Sequence, residues 1–228
     1  MPRCALLLLL LAGVVRADET PKILTLGDSI TKGVRQGVKV NETFAAYLQE
    51  MLKEKGIKAE VINVGVGGED TGGALRRLER DILGRKPRLV AVMYGTNDSY
   101  SDKGKKDSRL TPEQFRRNLT ELVRALRNKG VEPILMTEPR WAKDAGPDGS
   151  GDSPNVGLEK FMHITRDIAR AEKVPLVDHF THWTKAEQNG VNLNGWTTDG
   201  CHPNPRGHRE IATVTLPAVV AALKRPPE

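Results

Sequence analysis

Runs of aliphatic and β-branched residues alternate with helical patterns along most of this chain, and that alternation limits the fold more than any other feature. "KILTLGDSI" (22–30), "AEVINVGV" (59–66), "RLVAVMYGTND" (88–98), "EPILMTEP" (132–139) and "VPLVDHF" (174–180) read as buried strands. Between them, 43–56, 70–83, 111–130 and 156–173 carry helical spacing, and a last helix runs from Pro205 to about Leu223. The clearest start is at Thr111, where Pro112 suits the first turn and Gln114 completes a capping box; Gly130 ends that helix. Strands separated by helices at this spacing predict a parallel sheet with helices on both faces and right-handed crossovers. Active sites of such sheets lie beyond the carboxyl ends of the strands. That rule gathers Ser29, the "NVGVGG" turn, "GTND" and the loop after Pro139 along one edge. The loop "KDAGPDGSGDSPN" (143–155) reads as a mobile surface segment beside it.

The first 17 residues read as a signal peptide: Arg3, an apolar run Ala5–Leu11, then Val15 and Ala17 placed for cleavage after Ala17. The run is shorter than the roughly 20 residues that span a bilayer. Cys4 precedes it instead of following it, which argues against a lipoprotein. Residues 18–228 suit one domain. Cys201 is its only cysteine, so it has no internal disulfide, as suits a periplasmic or secreted bacterial protein. The net charge of +6 falls to +4 without Arg3 and Arg16. Basic residues lie on helical faces and in 101–109 without interleaved aromatics, so nucleic acid is not expected as a partner. No other segment is apolar enough for membrane insertion, and the sequence sets no oligomeric state.

Four short blocks could carry chemistry. In "GDSIT", Ser29 follows a strand and can present its hydroxyl above the sheet edge, although a Gly-Asp-Ser turn is commonly structural. The Gly-x-Ser-x-Gly elbow of α/β-hydrolases is absent. "NVGVGGEDT" (63–71) has glycines at 65, 67 and 68, a spacing that does not match a dinucleotide fingerprint. It reads as a tight turn that can offer a backbone donor, with Gly68 the best candidate. Asn97 of "GTND" carries an amide that can donate into the same space, or can serve the turn alone.

"DGCHPN" (199–204) packs an acid, a thiol and an imidazole together. A metal site needs further ligands at recognisable spacing, and no His-x-x-x-His or Cys-x-x-Cys pair exists; His179 and His182 belong to the fifth strand and its exit. Cys201 is a poor nucleophile candidate in an exported chain that has Ser29. The strongest reading pairs Asp199 with one nitrogen of His202, leaving the other as a general base.

Taken together and in this order, "GDSI", the glycine turn, "GTND" and "DGCHPN" resemble the SGNH, or GDSL-type, serine hydrolase family across 18–228. The one departure is Ile30 where the family name has Leu. The resemblance implies Ser29 as nucleophile, His202 and Asp199 as base and orienter, and Ser29, Gly68 and Asn97 as oxyanion donors, with no cofactor and no metal. It also implies a flavodoxin-like α/β/α sandwich with strand order 2-1-3-4-5. Rival readings are a binding protein that kept the fold without catalysis, and acyl transfer to an alcohol instead of water. The expected substrate is a short acyl ester, acetyl first, of carbohydrate or a similar polar alcohol, with lysophospholipid-type esters second. The segments after Asn97 and Pro139 are too polar to build a long acyl trough, and Arg140, Trp141 and Trp196 suggest a shallow site with a charge and a flat ring, although tryptophans at such places more often serve packing.

Overall fold

Alternate residues of the strands feed two separate cores. The computed structural model describes residues 20–225; the expected signal peptide lies outside them. Its strands are β1 (Lys22–Gly27), β2 (Glu60–Asn63), β3 (Leu89–Met93), β4 (Glu132–Thr137) and β5 (Leu176–Asp178). All pair in parallel, in the order β2-β1-β3-β4-β5. The helices are α1 (Ser29–Lys32), α2 (Phe44–Glu54), α3 (Thr71–Arg77), α4 (Thr96–Ser99), α5 (Pro112–Asn128), α6 (Pro154–Ala171), α7 (His179–Gln188) and α8 (Pro205–Lys224). Leu24, Leu26, Val90, Val92 and Leu135 pack on one face against α3, α5 and α6, through Leu119, Leu122, Phe161 and their neighbours. Ile23, Leu89, Ala91, Met93 and Ile134 point the other way, onto Phe44 and Leu48 of α2, Trp183 of α7 and Ile211 of α8. The result is the three-layer α/β/α sandwich that the sequence implied. Truncating a fully buried core leucine such as Leu122 costs about 2–5 kcal/mol.

Local signals set several boundaries as expected. Thr111 and Gln114 form the reciprocal capping box of α5. Asn204 accepts from the Arg206 and Gly207 N–H groups at the start of α8, with Pro205 in its first turn.

Elsewhere the structure departs from the sequence reading. β1 and β3 stop at Gly27 and Met93, because short helices α1 and α4 take over the last residues assigned to those strands. The helix expected over 70–83 is α-helical only to Arg77; a π turn (Leu78–Ile82) and a 3-10 turn (Leu83–Arg85) follow, and both Leu78 and Ile82 stay buried. The fifth strand ends at Asp178, whose carboxylate accepts from the Thr181 N–H and starts α7, so His179 and His182 are helical. Phe180 had prolonged the apolar pattern without prolonging the strand. The 143–155 loop is tied down near its start and in its middle. The Ala142 N–H donates to the Gly200 carbonyl (2.7 Å), Gly149 donates to Ser101 (2.8 Å), and the Asn194 amide reaches Asp144 (2.8 Å).

Candidate active site

At the carboxyl end of β1 the chain turns within two residues. A side chain on Gly27 would collide with Thr31 and with the Met93 carbonyl, so the turn requires glycine. Asp28 caps the following helix by accepting from the Ile30 N–H at 2.8 Å. Ser29 therefore opens α1, and its Oγ lies 2.9 Å from His202 Nε2. The other ring nitrogen, Nδ1, is 2.8 Å from Asp199 Oδ2. Asp199 reaches that position because its own turn holds it. Its Oδ1 accepts from the Cys201 N–H (3.1 Å) and the His202 N–H (2.8 Å), and Thr198 donates to the His202 carbonyl (2.8 Å). The three residues chosen from sequence are thus brought into one connected line.

The opposite flank of Ser29 is built from backbone and amide groups. The glycine turn lies beside it: a Cβ on Gly67 would stand 4.0 Å from that of Ser29. Gly68 has φ +76°, the left-handed region, with open space where a side chain would go. Neither the Ser29 nor the Gly68 backbone N–H has an acceptor among the described residues. Asn97 sits one turn beyond β3. Its Nδ2 donates to Asp28 Oδ2 at 2.9 Å and to the Glu69 carbonyl at 3.2 Å, while its Oδ1 accepts from Arg109 at 2.9 Å. Arg109 is itself clamped by Asp102 and lies over the Tyr100 ring. Asp98 pins the start of α3 by accepting from the Thr71 N–H (2.9 Å) and hydroxyl (2.6 Å).

Burial and charge act differently on the two flanks. Burial holds the His202 imidazole below its ordinary value, and Arg35 pushes the same way, while Asp199 opposes both. Burial works against ionisation of Asp199, but hydrogen bonds from His202 and Cys201 outweigh it and keep its carboxyl below the usual range. Asp28 is fully buried, and burial pushes it up to about 7 despite the Ile30 and Asn97 hydrogen bonds. Glu138 is also fully buried, neither of its carboxylate oxygens has a partner among the described residues, and burial raises it well above the usual range.

Residues 25–210 match the GDSL-like lipase/acylhydrolase family. The chain belongs to this family. It is 27% identical to the uncharacterized lipoprotein YqeF of Bacillus subtilis over 209 residues, covering 83% of this chain and 85% of that one. It is 27% identical to the esterase TesA of Pseudomonas aeruginosa over 184 residues, covering 79% of each. The crystal structure of an acetyl xylan esterase, AlAXEase, superposes with a TM-score of 0.72 at 25% identity, over 87% of this chain and 99% of that one. The chain is accordingly a carboxylic ester hydrolase of the GDSL-like family.

Within this GDSL-like site, several residues singled out from sequence have structural duties. Trp196 is buried and stacks on His182 and against Trp183, away from any open platform. Arg140 pairs with Glu187 at 3.0 Å. Of the three, only Trp141 stays near the expected place, half-buried and stacked on Tyr100 at 6.0 Å. Cys201 is buried, and burial, reinforced by Asp28, pushes its thiol up. His182 pairs with Glu210, and His179 lies fully buried beside Thr215. Among the described residues no group of three His, Cys, Asp or Glu side chains could hold a metal ion. The sequence reading missed Asp28, Asp98, Arg109 and Arg35. The two aspartates stand inside blocks already quoted, at a helix start and a turn where capping carboxylates are common. Nothing local marks the arginines.

Proposed function

We propose that this enzyme hydrolyses esters through an acyl-enzyme on Ser29. The Ser29 Oγ attacks the ester carbonyl carbon while its proton passes to His202 Nε2. Asp199 fixes the ring so that Nδ1 carries its hydrogen and Nε2 is free to accept. The oxyanion that forms takes hydrogen bonds from the Ser29 and Gly68 N–H groups and from the Asn97 amide, whose longer bond, to Glu69, is the one exchanged. Collapse expels the alcohol, which receives the proton from His202, and water releases the acid by the same steps. The observation that carries this reading is His202 bridging Ser29 at 2.9 Å and Asp199 at 2.8 Å. A fluorophosphonate, which reacts with activated serines, tests it. Mass spectrometry is expected to find one adduct, on Ser29, absent in Ser29→Ala and slow to form in His202→Ala. An adduct on Cys201 or elsewhere would falsify the assignment.

Short acyl groups on carbohydrate or another polar alcohol suit the surroundings. Beyond Asn97 the edge carries the Arg109–Tyr100–Trp141 stack and a charged loop over 101–109. The likeness to an acetyl xylan esterase points the same way. Longer acyl chains are the second reading, favoured by a shallow groove lined by Val34, Val40, Ala46 and Val61 beside Lys32. Comparing kcat/KM on acetate and octanoate esters of one alcohol, below any micelle threshold, separates them. Preference for octanoate would discard the acetyl reading and leave the Ser29 chemistry untouched. Export is supported by the signal-like residues 1–17 and by a relative named as a lipoprotein. No helix among the described residues is long and apolar enough to cross a membrane.

A further inference from the structure

Asp199 holds more than His202. Its Oδ2, the oxygen that receives the ring, also lies 2.8 Å from Arg35 Nη2. Arg35 comes from a separate part of the chain, the turn between α1 and α2. That turn closes on itself through Val38 N–H to the Arg35 carbonyl at 2.9 Å and is anchored by the buried Val38 side chain. Gly37 in the same turn lies against Thr198, the residue before Asp199. A surface ion pair of this exposure contributes about 0–1 kcal/mol to folding, so stability alone does not explain such support.

We propose that Arg35 acts on the reaction through Asp199: its permanent charge beside the carboxylate oxygen that receives the His202 ring sets the lowest pH at which the enzyme works. The inference rests on the reading of His202 as the base. One carboxylate oxygen there faces two donors, one a permanent cation and one a ring that must gain and lose a proton. The guanidinium withdraws part of the negative charge that would favour imidazolium, and it repels imidazolium directly. The remaining titratable groups around His202 are few. Asp199 is in its own turn, and Ser29 faces it from α1. His208, on α8, is buried, and that burial pushes it down to about 4. Burial and Arg35 both lower His202, against Asp199.

The carboxylate does not depend on Arg35 for its place, because its Oδ1 keeps two N–H donors from its own turn. Electrostatics therefore outweighs orientation. Two charges separated by one shared carboxylate oxygen, in a largely aqueous medium, shift a titration by about half to one pH unit. In Arg35→Gln the His202 titration, followed by NMR of the ring in the full chain, is expected to move up by that amount. The acid limb of kcat/KM on a small neutral ester moves with it. That change reads as a three- to tenfold loss of rate on the acid side, with plateau kcat within about threefold and KM unchanged. Arg35→Lys keeps a cation and is expected to restore most of the shift, while Arg80→Gln, which removes an exposed arginine paired with Asp81, leaves it alone. An unmoved His202 titration in Arg35→Gln, or an equal shift in Arg80→Gln, overturns the proposal. Full activity in Ser29→Ala would instead overturn the catalytic reading, and the NMR titration would still report what Arg35 does to the ring.

Discussion

Asp28 and Asp199 approach Ser29 from opposite sides and live under opposite conditions. Asp199 is 39% exposed at its side chain and gathers two backbone N–H groups, an imidazole and a guanidinium. Asp28 is sealed from water and has one N–H and one amide. The first stays ionised because its donors outnumber its losses; the second approaches neutrality at ordinary pH because burial outweighs two hydrogen bonds. The difference teaches that a carboxylate beside a nucleophile is assigned by its donors, not by its nearness. In the proposed mechanism Asp199 stabilises the imidazolium that forms. Asp28 can only hold the turn and Asn97 in place.

The largest effect should fall on the exposed side. Asp199→Asn is expected to lower kcat by about 10⁴, because the amide favours the wrong ring tautomer, and Ser29→Ala or His202→Ala should do at least as much. Asp28→Asn should cost only about tenfold, through a misplaced Asn97. Equal losses in the two aspartate variants would break the contrast drawn here. Between these, Asn97→Ala is expected to cost about 10²-fold in kcat with little change in KM. For the intact enzyme, kcat/KM should rise with pH as His202 loses its proton, through a value below the ordinary 6.5 or so because of its burial.

The smallest effect belongs to stability on the buried side. Glu138 and Asp28 take up protons more readily folded than unfolded, so they destabilise the fold progressively as pH rises from their unfolded values through their raised folded ones. Glu138→Gln should therefore raise Tm by about 5 °C at pH 8 and hardly at all at pH 5, as read by calorimetry. A Tm gain of the same size at both pH values would mean that Glu138 is not the charge being relieved.

Asp199 and His202 were legible from their own block, whose neighbours dictate its geometry, whereas Ser29, in a turn that is commonly structural, was singled out by the resemblance of the four blocks together to the family. Gly27 makes the turn before Ser29, and Asp199 and His202 are three residues apart within one closed turn. The sheet was legible for the same reason, since strand and helix patterns differ in period. What escaped depends on distance along the chain. Arg35 meets Asp199 only after the sheet has brought their loops to one edge, and Arg109 meets Asn97 only because the single connection from β3 to α5 folds back on itself. The fifth strand was drawn too long because an apolar residue after a capping aspartate looks the same in a strand as in a first helical turn. Trp196 and Arg140 looked available for substrate because sequence records residue type and not exposure, and both are occupied inside the protein.

Ser29 and His202 are separated by 173 positions, yet they touch. Ser29 opens the first helix of the described residues and His202 precedes the last. Four of the five strands lie between them, so their contact depends on the assembled sandwich. A partly folded chain therefore holds Ser29 without the imidazole beside it. On the proposed mechanism, ester hydrolysis during refolding is then expected to recover no earlier than the complete fold.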